Sequence, residues 1–200
     1  MLHNSIAIIF AGGRSSRMGS DKSLLPFGDK NSMAQFQYDK LNSIFSKVYI
    51  STKEDKFDFT PRLIFDNYPQ NSPLVAIISI FESLNIDEAF ILSVDAPFID
   101  KDIIKRLYSY NSSSKDAIVA QTKDGVQPLC AIYKKSIISK AKEYLEQDIH
   151  KLTYLLKNSN TTIVEFDNRD KFANLNYKSD YIDAIKSYSP KSLNSKLSSS

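Results

Sequence analysis

The chain has little of two reactive residue types, with one cysteine, Cys130, and two histidines, His3 and His150, among 200 residues. A single cysteine permits no intramolecular disulfide, and its place in an apolar run predicts a core position. The two histidines lack the spacing of a metal site or of a nucleophilic mechanism. The most apolar stretch, 74–84, is shorter than the roughly 20 residues of a membrane-spanning helix. Since a secretory signal pattern is lacking too, we expect a cytoplasmic protein without a membrane partner.

Excess charge is also scarce in the body of the chain. The formal net charge is +3, but residues 186–200 contribute three lysines and no acid, and the remainder balances 23 basic against 23 acidic side chains. This balance argues against a nucleic-acid partner. The last residues are rich in serine and poor in apolar side chains, which predicts a disordered tail over 188–200. We expect a single domain over 1–187.

Short runs rich in β-branched residues alternate with helical patterns along the chain. This alternation predicts an α/β fold with a mainly parallel sheet that is covered by helices on both faces. A turn at Asp124-Gly125 predicts one antiparallel hairpin, which makes the sheet mixed. The predicted strands are 5–10, 47–51, 62–66, 89–95, 116–121, 128–133 and 161–166, and the predicted helices are 32–45, 73–85, 100–110, 134–146, 150–158 and 179–187.

A long loop follows the first strand, at the end where open α/β sheets bind ligands. Its glycines allow backbone N–H groups to approach anionic oxygens, its serines add hydroxyl donors, and three cations face a single acid. These residues are Gly12, Gly13, Ser15, Ser16, Arg14, Arg17 and Lys22, with Asp21 as the acid. The loop matches neither G-x-x-x-x-G-K-[ST] nor G-x-G-x-x-G. It indicates a phosphate site, with a tight turn and solvated cations as the alternative.

Polar residues at other predicted strand ends are candidates for the same site. Asp95 leaves an apolar strand just before Pro97, and a single carboxylate is sufficient for Mg²⁺ when phosphates and water complete the coordination. A turn-capping role is the alternative for Asp95. Asn174 and Asn176, two residues apart in an extended segment, would project to one side and offer uncharged amides, or they could simply form a turn.

The segment AGGRSSRMGSDKSLLPF resembles the opening of the molybdenum cofactor guanylyltransferases, within the nucleotidyltransferase class. The resemblance continues at spaced positions over about residues 5–185. Those positions are Asp66, Pro73-Leu74, Asp95-Ala96-Pro97-Phe98, Gln127-Pro128-Leu129 and Phe172-Ala173-Asn174-Leu175-Asn176. It implies a three-layer, Rossmann-like nucleotidyltransferase fold. Its N-terminal half would bind the nucleotide and its C-terminal half molybdopterin.

The resemblance also implies a reaction and residue roles. GMP would pass from GTP to the terminal phosphate of molybdopterin or molybdenum-molybdopterin, with Mg²⁺ as cofactor and release of pyrophosphate. The implied catalytic residues are Arg17, Lys22 and Asp95, with Asp95 also the metal ligand. The implied GTP-binding residues are Phe10, Ala11, Gly12, Gly13, Lys22, Ser51, Asp66 and Asp95, and the implied molybdopterin-binding residues are Asn174 and Asn176. Asp66 and Ser51 could equally be ordinary strand-end residues.

Three other functions share some of these features. A cytidylyltransferase acting on molybdopterin or an isoprenoid precursor would use the same reaction class, as would a sugar-phosphate nucleotidyltransferase. A non-catalytic nucleotide-binding module would keep the loop and transfer nothing. For the guanylyltransferase we expect a monomer that makes transient contacts with proteins that deliver and accept the cofactor.

Overall fold

The computed structural model describes residues 2–12, 20–70 and 72–188. The strands are β1 (Leu2–Phe10), β2 (Phe45–Thr52), β3 (Leu63–Phe65), β4 (Glu88–Ser93), β5 (Ala117–Thr122), β6 (Gly125–Lys134) and β7 (Thr161–Glu165). The helices are α1 (Met33–Asn42), α2 (Pro73–Leu84), α3 (Lys101–Ser109), α4 (Ile138–Glu146), α5 (Leu152–Lys157) and α6 (Lys178–Tyr188). Short 3-10 turns lie at Lys22–Leu24, Lys135–Ile137 and Arg169–Phe172.

The strands form a single seven-stranded sheet in the order β3-β2-β1-β4-β6-β5-β7. β6 runs antiparallel to both of its neighbours, and the other pairs are parallel. The carboxyl ends of β1, β2, β3 and β4 therefore meet at one edge of the sheet, where crossover connections leave a crevice for a ligand.

Two buried clusters cover the faces of the sheet. In β1, Ala7 and Ile9 face a cluster that includes residues of α1, α3 and α6, whereas Ile8 and Phe10 face residues of α2, α4 and α5. This alternation follows from the period of two residues in a strand, and both faces are apolar because both are covered. The prediction of a three-layer α/β fold with a mixed, mainly parallel sheet is confirmed.

The end of the first helix was predicted wrongly. The sequence pattern predicted a helix to residue 45, but α1 ends at Asn42 and Phe45 begins β2. The Phe45 ring is 2% exposed and stacks on Phe90 of β4, with centroids 5.5 Å apart. Stacking across the sheet, which only the tertiary fold supplies, therefore favours strand over helix at this residue.

The antiparallel hairpin is confirmed, but its second strand begins at Gly125 rather than at residue 128. The pairing register between β5 and β6 shifts between Val119 and Ala120, where Val119 pairs with Ala131 and Ala120 pairs with Gln127. The residues between these partners bulge out of the hairpin at Pro128, which cannot donate a ladder hydrogen bond. The bulge directs this part of β6 into a cleft beside the sheet edge.

Tyr188, assigned by the sequence to the tail, is the last residue of α6, and residues 189–200 lie outside the described part. Within the described residues, every helix is too short or too polar to cross a membrane.

Candidate functional site

Three side chains from distant parts of the chain meet at the carboxyl edge of the sheet. The Lys22 ammonium lies 3.0 Å from Oδ2 of Asp95 and donates to Oδ1 of Asn176 at 2.9 Å. The side chains of Lys22 and Asp95 are only 14% and 17% exposed. The cluster thus contains Lys22 of the glycine- and cation-rich loop after β1 (residues 11–22, here named the cation loop), the predicted metal carboxylate and one predicted acceptor-binding amide.

Asp95 is held by its neighbours on two sides. Ser93 donates its hydroxyl to Oδ1 of Asp95 at 2.6 Å, so each carboxylate oxygen has a partner. The backbone carbonyl of Asp95 accepts from the Leu175 N–H at 2.9 Å. That bond ties the turn after β4 to the segment that carries Asn174 and Asn176. The predicted strand to residue 95 is two residues too long, since β4 ends at Ser93.

The chain just beyond β1 passes from a buried, hydrogen-bonded residue, Ala11, to an exposed glycine, Gly12. Ala11 is 4% exposed and its N–H donates to the Ser51 carbonyl at 3.0 Å, so the chain continues along β2 for one residue beyond β1. A Cβ placed on Gly12 would meet no described atom within 4 Å. The surrounding described residues therefore do not require glycine here, whereas the close approach of a ligand would.

Lys56, which sequence reasoning missed, links the two ends of the cation loop. Its ammonium donates to the Ala11 carbonyl at 3.1 Å and lies 2.5 Å from Oδ2 of Asp21. Burial raises the pKa of Asp21, but hydrogen bonds from Lys56 and Ser23 outweigh it, so the pKa is lowered. Lys56 therefore holds the start of the loop beside an ionised carboxylate next to Lys22. In the sequence, Lys56 is one of several lysines in a polar connection, and nothing in the local pattern distinguishes it from the others.

The remaining predicted nucleotide residues differ in what the structure offers. Phe10 and Ser51 are 5% and 3% exposed, and both contribute backbone carbonyls, Phe10 to the Val94 N–H and Ser51 to the Ala11 N–H. Gly13 and Arg17 lie outside the described residues. Asp66 is half-buried just after β3, where burial raises its pKa and Lys53 opposes that rise. Three strand spacings separate the exits of β3 and β4, which is about 14 Å.

A cleft of about 480 Å³ opens beside the Asp95 carboxylate. Its walls come from the turn after β4, the bulge of β6, the connection before α5 and the segment after β7. Residues that line it include Asp95, Gln127, Leu129, His150, Lys151 and Asn174. The structure therefore brings Asn174 to the cleft and Asn176 to the Lys22 ammonium. Cys130 also lines the cleft, and burial raises the pKa of its thiol to about 12, so it is an unreactive core residue as predicted.

His150 has partners that its sequence spacing did not indicate. Its Nδ1 lies 3.1 Å from the Ser72 hydroxyl and its Nε2 lies 2.8 Å from Oδ1 of Asp148. Ser72 caps α2 by accepting from the Val75 N–H, and Asp148 has a φ of 59°. The helix predicted to begin at residue 150 begins at Leu152, so His150 belongs to a connection and faces the cleft.

The turn after β4, here named the Asp95 loop (residues 93–99), is also held from α1. The amide nitrogen of Gln37 donates to the Ala96 carbonyl at 2.9 Å, and the Lys40 ammonium donates to the carbonyls of Pro97 and Ile99 at 2.8 and 2.9 Å. Lys40 is partly exposed as a residue, but its ammonium is covered by the loop. Burial lowers the pKa of Lys40 to about 7.

This burial predicts a pH dependence of stability. An unfolded chain protonates Lys40 up to its ordinary pKa of 10.5, whereas the folded chain releases that proton above about 7. The free energy of unfolding should therefore rise with pH above 7, by at most about 1.4 kcal/mol per pH unit from this residue. Urea unfolding of wild type and Lys40→Met at pH 7 and 8.5 should show wild type gaining about 1 to 2 kcal/mol on the variant.

Three other ionisable groups act on the Lys40 ammonium: the buried Cys130 thiol, Asp100 and Lys171. Of these, Cys130 limits the pH range over which stability rises. Since its pKa is raised in the folded chain, it lowers stability above about pH 9. If the unfolding free energies of wild type and Lys40→Met change in parallel between pH 7 and 8.5, the Lys40 ammonium is not desolvated.

Residues 7–162 match the model of the MobA-like NTP transferase domain. A molybdenum cofactor guanylyltransferase of Campylobacter jejuni subsp. doylei is 37% identical over 176 residues, which are 87% of this chain and 92% of that protein. The chain belongs to the molybdenum cofactor guanylyltransferase family. Another member, from Helicobacter pylori strain G27, is 29% identical over 186 residues, 90% of this chain and 92% of the relative.

Solved structures agree with this family in fold. The molybdopterin-guanine dinucleotide biosynthesis protein A of Archaeoglobus fulgidus superposes with a TM-score of 0.78 at 17% identity, covering 90% of this chain and 97% of that one. The 2-C-methyl-D-erythritol 4-phosphate cytidylyltransferase of Thermus thermophilus gives 0.67 at 11% identity, covering 92% and 98%. The family resemblance seen in the sequence is confirmed. The guanylyltransferase family shares its fold with enzymes that act on other substrates.

Proposed function

We propose that the protein transfers GMP from GTP to the terminal phosphate of molybdopterin, or of its molybdenum form, and releases pyrophosphate. The observation that carries this proposal is the cluster of Lys22, Asp95 and Asn176, of which Asp95 also lines the cleft. A cation, a carboxylate and a neutral amide in one cluster beside a cleft suit a transfer between two phosphates. Membership of the guanylyltransferase family supports the choice of GTP and molybdopterin.

GTP would lie along the carboxyl edge from β3 to β4. The exposed backbone at Gly12 would donate its N–H group to the phosphates, Ala11 would line the site beside it, and Lys22 and Arg17 would neutralise the phosphate charge. Asp66, about 14 Å from the exit of β4 across the sheet, would contact the nucleoside. Phe10, Gly13 and Ser51 would complete the binding surface, mainly through their backbone.

The donor set around Asp95 fits Mg²⁺. Asp95 provides a carboxylate beside the Ser93 hydroxyl, and the described residues contain no cluster of three or more acidic, histidine or cysteine side chains that could hold a metal alone. Mg²⁺ needs only one or two protein carboxylates when phosphate oxygens and water supply the rest. Asp95 would therefore hold the ion against the triphosphate. Bound there, Mg²⁺ would neutralise charge on the phosphate oxygens and orient them.

Molybdopterin would occupy the cleft of about 480 Å³. Its terminal phosphate would point toward Asp95, with Asn174 on the cleft wall and Asn176 beside Lys22. His150 and Lys151, which also line the cleft, add polar and positively charged groups for an anionic substrate.

The chemistry would be an in-line attack by an oxygen of the molybdopterin phosphate on the α-phosphorus of GTP. The P–O bond to pyrophosphate breaks as the new P–O bond forms. No general base is needed because the attacking phosphate is already ionised at neutral pH. The residues of the chain would then act by positioning the two substrates and by stabilising negative charge, and the charges of Lys22 and Arg17 would neutralise the leaving pyrophosphate.

A pyrophosphate-release assay tests this proposal. The purified protein is supplied with molybdopterin, Mg²⁺ and each of the four nucleoside triphosphates in turn. We expect release that requires both molybdopterin and Mg²⁺ and is fastest with GTP. Equal turnover of CTP and GTP would contradict guanylyl transfer, and absence of release with every nucleotide would favour a non-catalytic binding module.

The neutrality of the two amides leads to a prediction about the acceptor. Asn174→Asp places a negative charge on the cleft wall, where it should repel the molybdopterin phosphate. We expect KM for molybdopterin to rise about tenfold or more while KM for GTP changes less than twofold, since about 1.4 kcal/mol of repulsion corresponds to a factor of ten. Steady-state kinetics with each substrate varied measures both. Asn31→Asp adds the same charge at an exposed position before α1 and should change neither.

The proposal includes the organisation of the protein. Residues 1–187 would act as a single domain and as a monomer in the cytoplasm, and would contact delivering and accepting proteins only transiently. Sedimentation analysis at micromolar concentration should give a mass near 22.7 kDa.

A further inference from the structure

We propose that Gln37 and Lys40 of α1 are positioning residues, which hold the Asp95 loop so that the Asp95 carboxylate is oriented for Mg²⁺. This inference rests on the metal role proposed above for Asp95. Neither residue belongs to the cluster that would contact nucleotide or acceptor, and both act through backbone carbonyls of the loop.

Gln37 is fully buried and meets the first half of the loop. Besides the 2.9 Å bond to the Ala96 carbonyl, its amide nitrogen lies 3.4 Å from the carbonyls of both Ser93 and Val94. These three carbonyls flank Asp95 on both sides in the chain. One amide group therefore fixes the backbone immediately before and after the carboxylate.

Lys40 meets the second half of the loop one helical turn further along α1. Its ammonium donates to the carbonyls of Pro97 and Ile99 and lies 5.5 Å from the centroid of the Phe36 ring. Because residues three apart lie on one face of a helix, Gln37 and Lys40 form a continuous row of donors along the loop.

Burying these two polar side chains lowers the stability of the fold, so packing alone does not explain why they are polar. The Oε1 atom of Gln37 is buried without a hydrogen-bond partner among the described residues, and an unsatisfied buried acceptor is destabilising. Covering a lysine ammonium is also unfavourable. Apolar side chains of the same size would avoid both costs. Polar side chains at positions 37 and 40 are therefore explained by what their donors do, which is to fix the backbone of the Asp95 loop.

The consequence for Asp95 follows from its other contacts. Ser93 and Lys22 bind its carboxylate, and Leu175 binds its carbonyl, so the side chain is directed from within the site. The backbone before and after Asp95 is held by the Gln37 and Lys40 donors of α1. Groups that support a metal-binding residue in this way commonly change metal affinity 10-fold to 100-fold when they are removed.

The test measures how much Mg²⁺ strengthens GTP binding, which needs no turnover. Calorimetry of the full chain with GTP, once with Mg²⁺ and once with EDTA, gives this metal-dependent gain for wild type, Gln37→Met, Lys40→Met and Asp95→Asn. Gln35→Met on α1 and the exposed Lys105→Met on α3 are matched controls. Amide hydrogen exchange over residues 93–99 and the unfolding midpoint at pH 7 are recorded for every variant.

We expect Gln37→Met and Lys40→Met to reduce the Mg²⁺-dependent gain in GTP affinity about tenfold. If the gain of wild type is itself less than tenfold, both variants should fall to the level of Asp95→Asn. Their binding of GTP in EDTA should stay within twofold of wild type. Exchange over 93–99 should be faster, while the unfolding midpoints should not fall below that of wild type, because each variant removes a buried polar group that costs stability. If Lys40→Met does not fold, Gln37→Met alone decides.

Two results would overturn the inference and are distinguishable. If Asp95→Asn removes the gain but the α1 variants keep it, α1 has only a structural role and the proposed function stands. If Asp95→Asn keeps the wild-type gain, the metal role of Asp95 is wrong, and the inference is overturned together with that part of the proposed function.

Discussion

Replacing Lys22 with methionine should lower kcat of GMP transfer by about 10²-fold or more, the size of effect seen when a charge-stabilising group is removed from a transition state. The ammonium of Lys22 is close to Asn176 and to Asp95, which lines the cleft. In the proposed reaction it stabilises charge that grows on the leaving pyrophosphate. Methionine preserves the length of the side chain and removes the charge. Single-turnover rates with saturating GTP and molybdopterin measure the effect.

Two comparisons make the Lys22 result interpretable. Lys22→Arg keeps the charge and should retain part of the rate, whereas Lys47→Met removes an exposed lysine of β2 and should leave the rate unchanged. A folded Lys22→Met protein with the full rate of transfer would be incompatible with the role assigned to this cation.

Asp95→Asn should also lower kcat by about 10²-fold or more, but through the metal. Asparagine can still accept the Ser93 hydroxyl bond, but its amide NH2 then faces the Lys22 ammonium, so the contact with Lys22 is lost together with the negative charge. The Mg²⁺ concentration for half-maximal rate should rise by about tenfold or more, because a neutral amide is a weaker ligand for a hard cation. Rates measured across a range of Mg²⁺ concentrations separate this effect from that of Lys22.

The control for Asp95 is Asp102→Asn, an exposed position in the first turn of α3. This substitution should change the free energy of unfolding by less than about 1 kcal/mol and leave the Mg²⁺ dependence of the rate unaltered. An Asp95→Asn enzyme with the wild-type Mg²⁺ requirement would contradict the assignment of Asp95 as the metal ligand.

Much of the fold was predictable because its strands and helices have strong local signals. The apolar run of β1 and the hairpin turn at Asp124-Gly125 each depend on neighbouring residues, and the strand and the hairpin predicted from them are confirmed. The end of α1 was not predictable in this way. The sequence pattern predicted a helix to residue 45, whereas Phe45 begins β2 and stacks on Phe90 of another strand.

The site was predictable in its residue types and less so in its supporting contacts. One supporting residue did have a signal, since Gln37 lies four residues from both Met33 and Leu41 and therefore on the buried stripe of α1. A polar residue on such a stripe indicates a buried acceptor, although not which one. His150 had no comparable signal, because its partners lie on two separate connections.

The amino-acid sequence by itself determined the order of strands and helices, the cationic glycine loop and the family resemblance, since each of these is written in residues close together or in a dense motif. The tertiary structure decided which groups meet. Lys22 contacts Asp95 across 73 positions and Asn176 across 154, and α1 reaches the Asp95 loop across more than 50. Such contacts depend on strand order and on the packing of crossover helices, which place distant segments together and leave no local pattern in the chain.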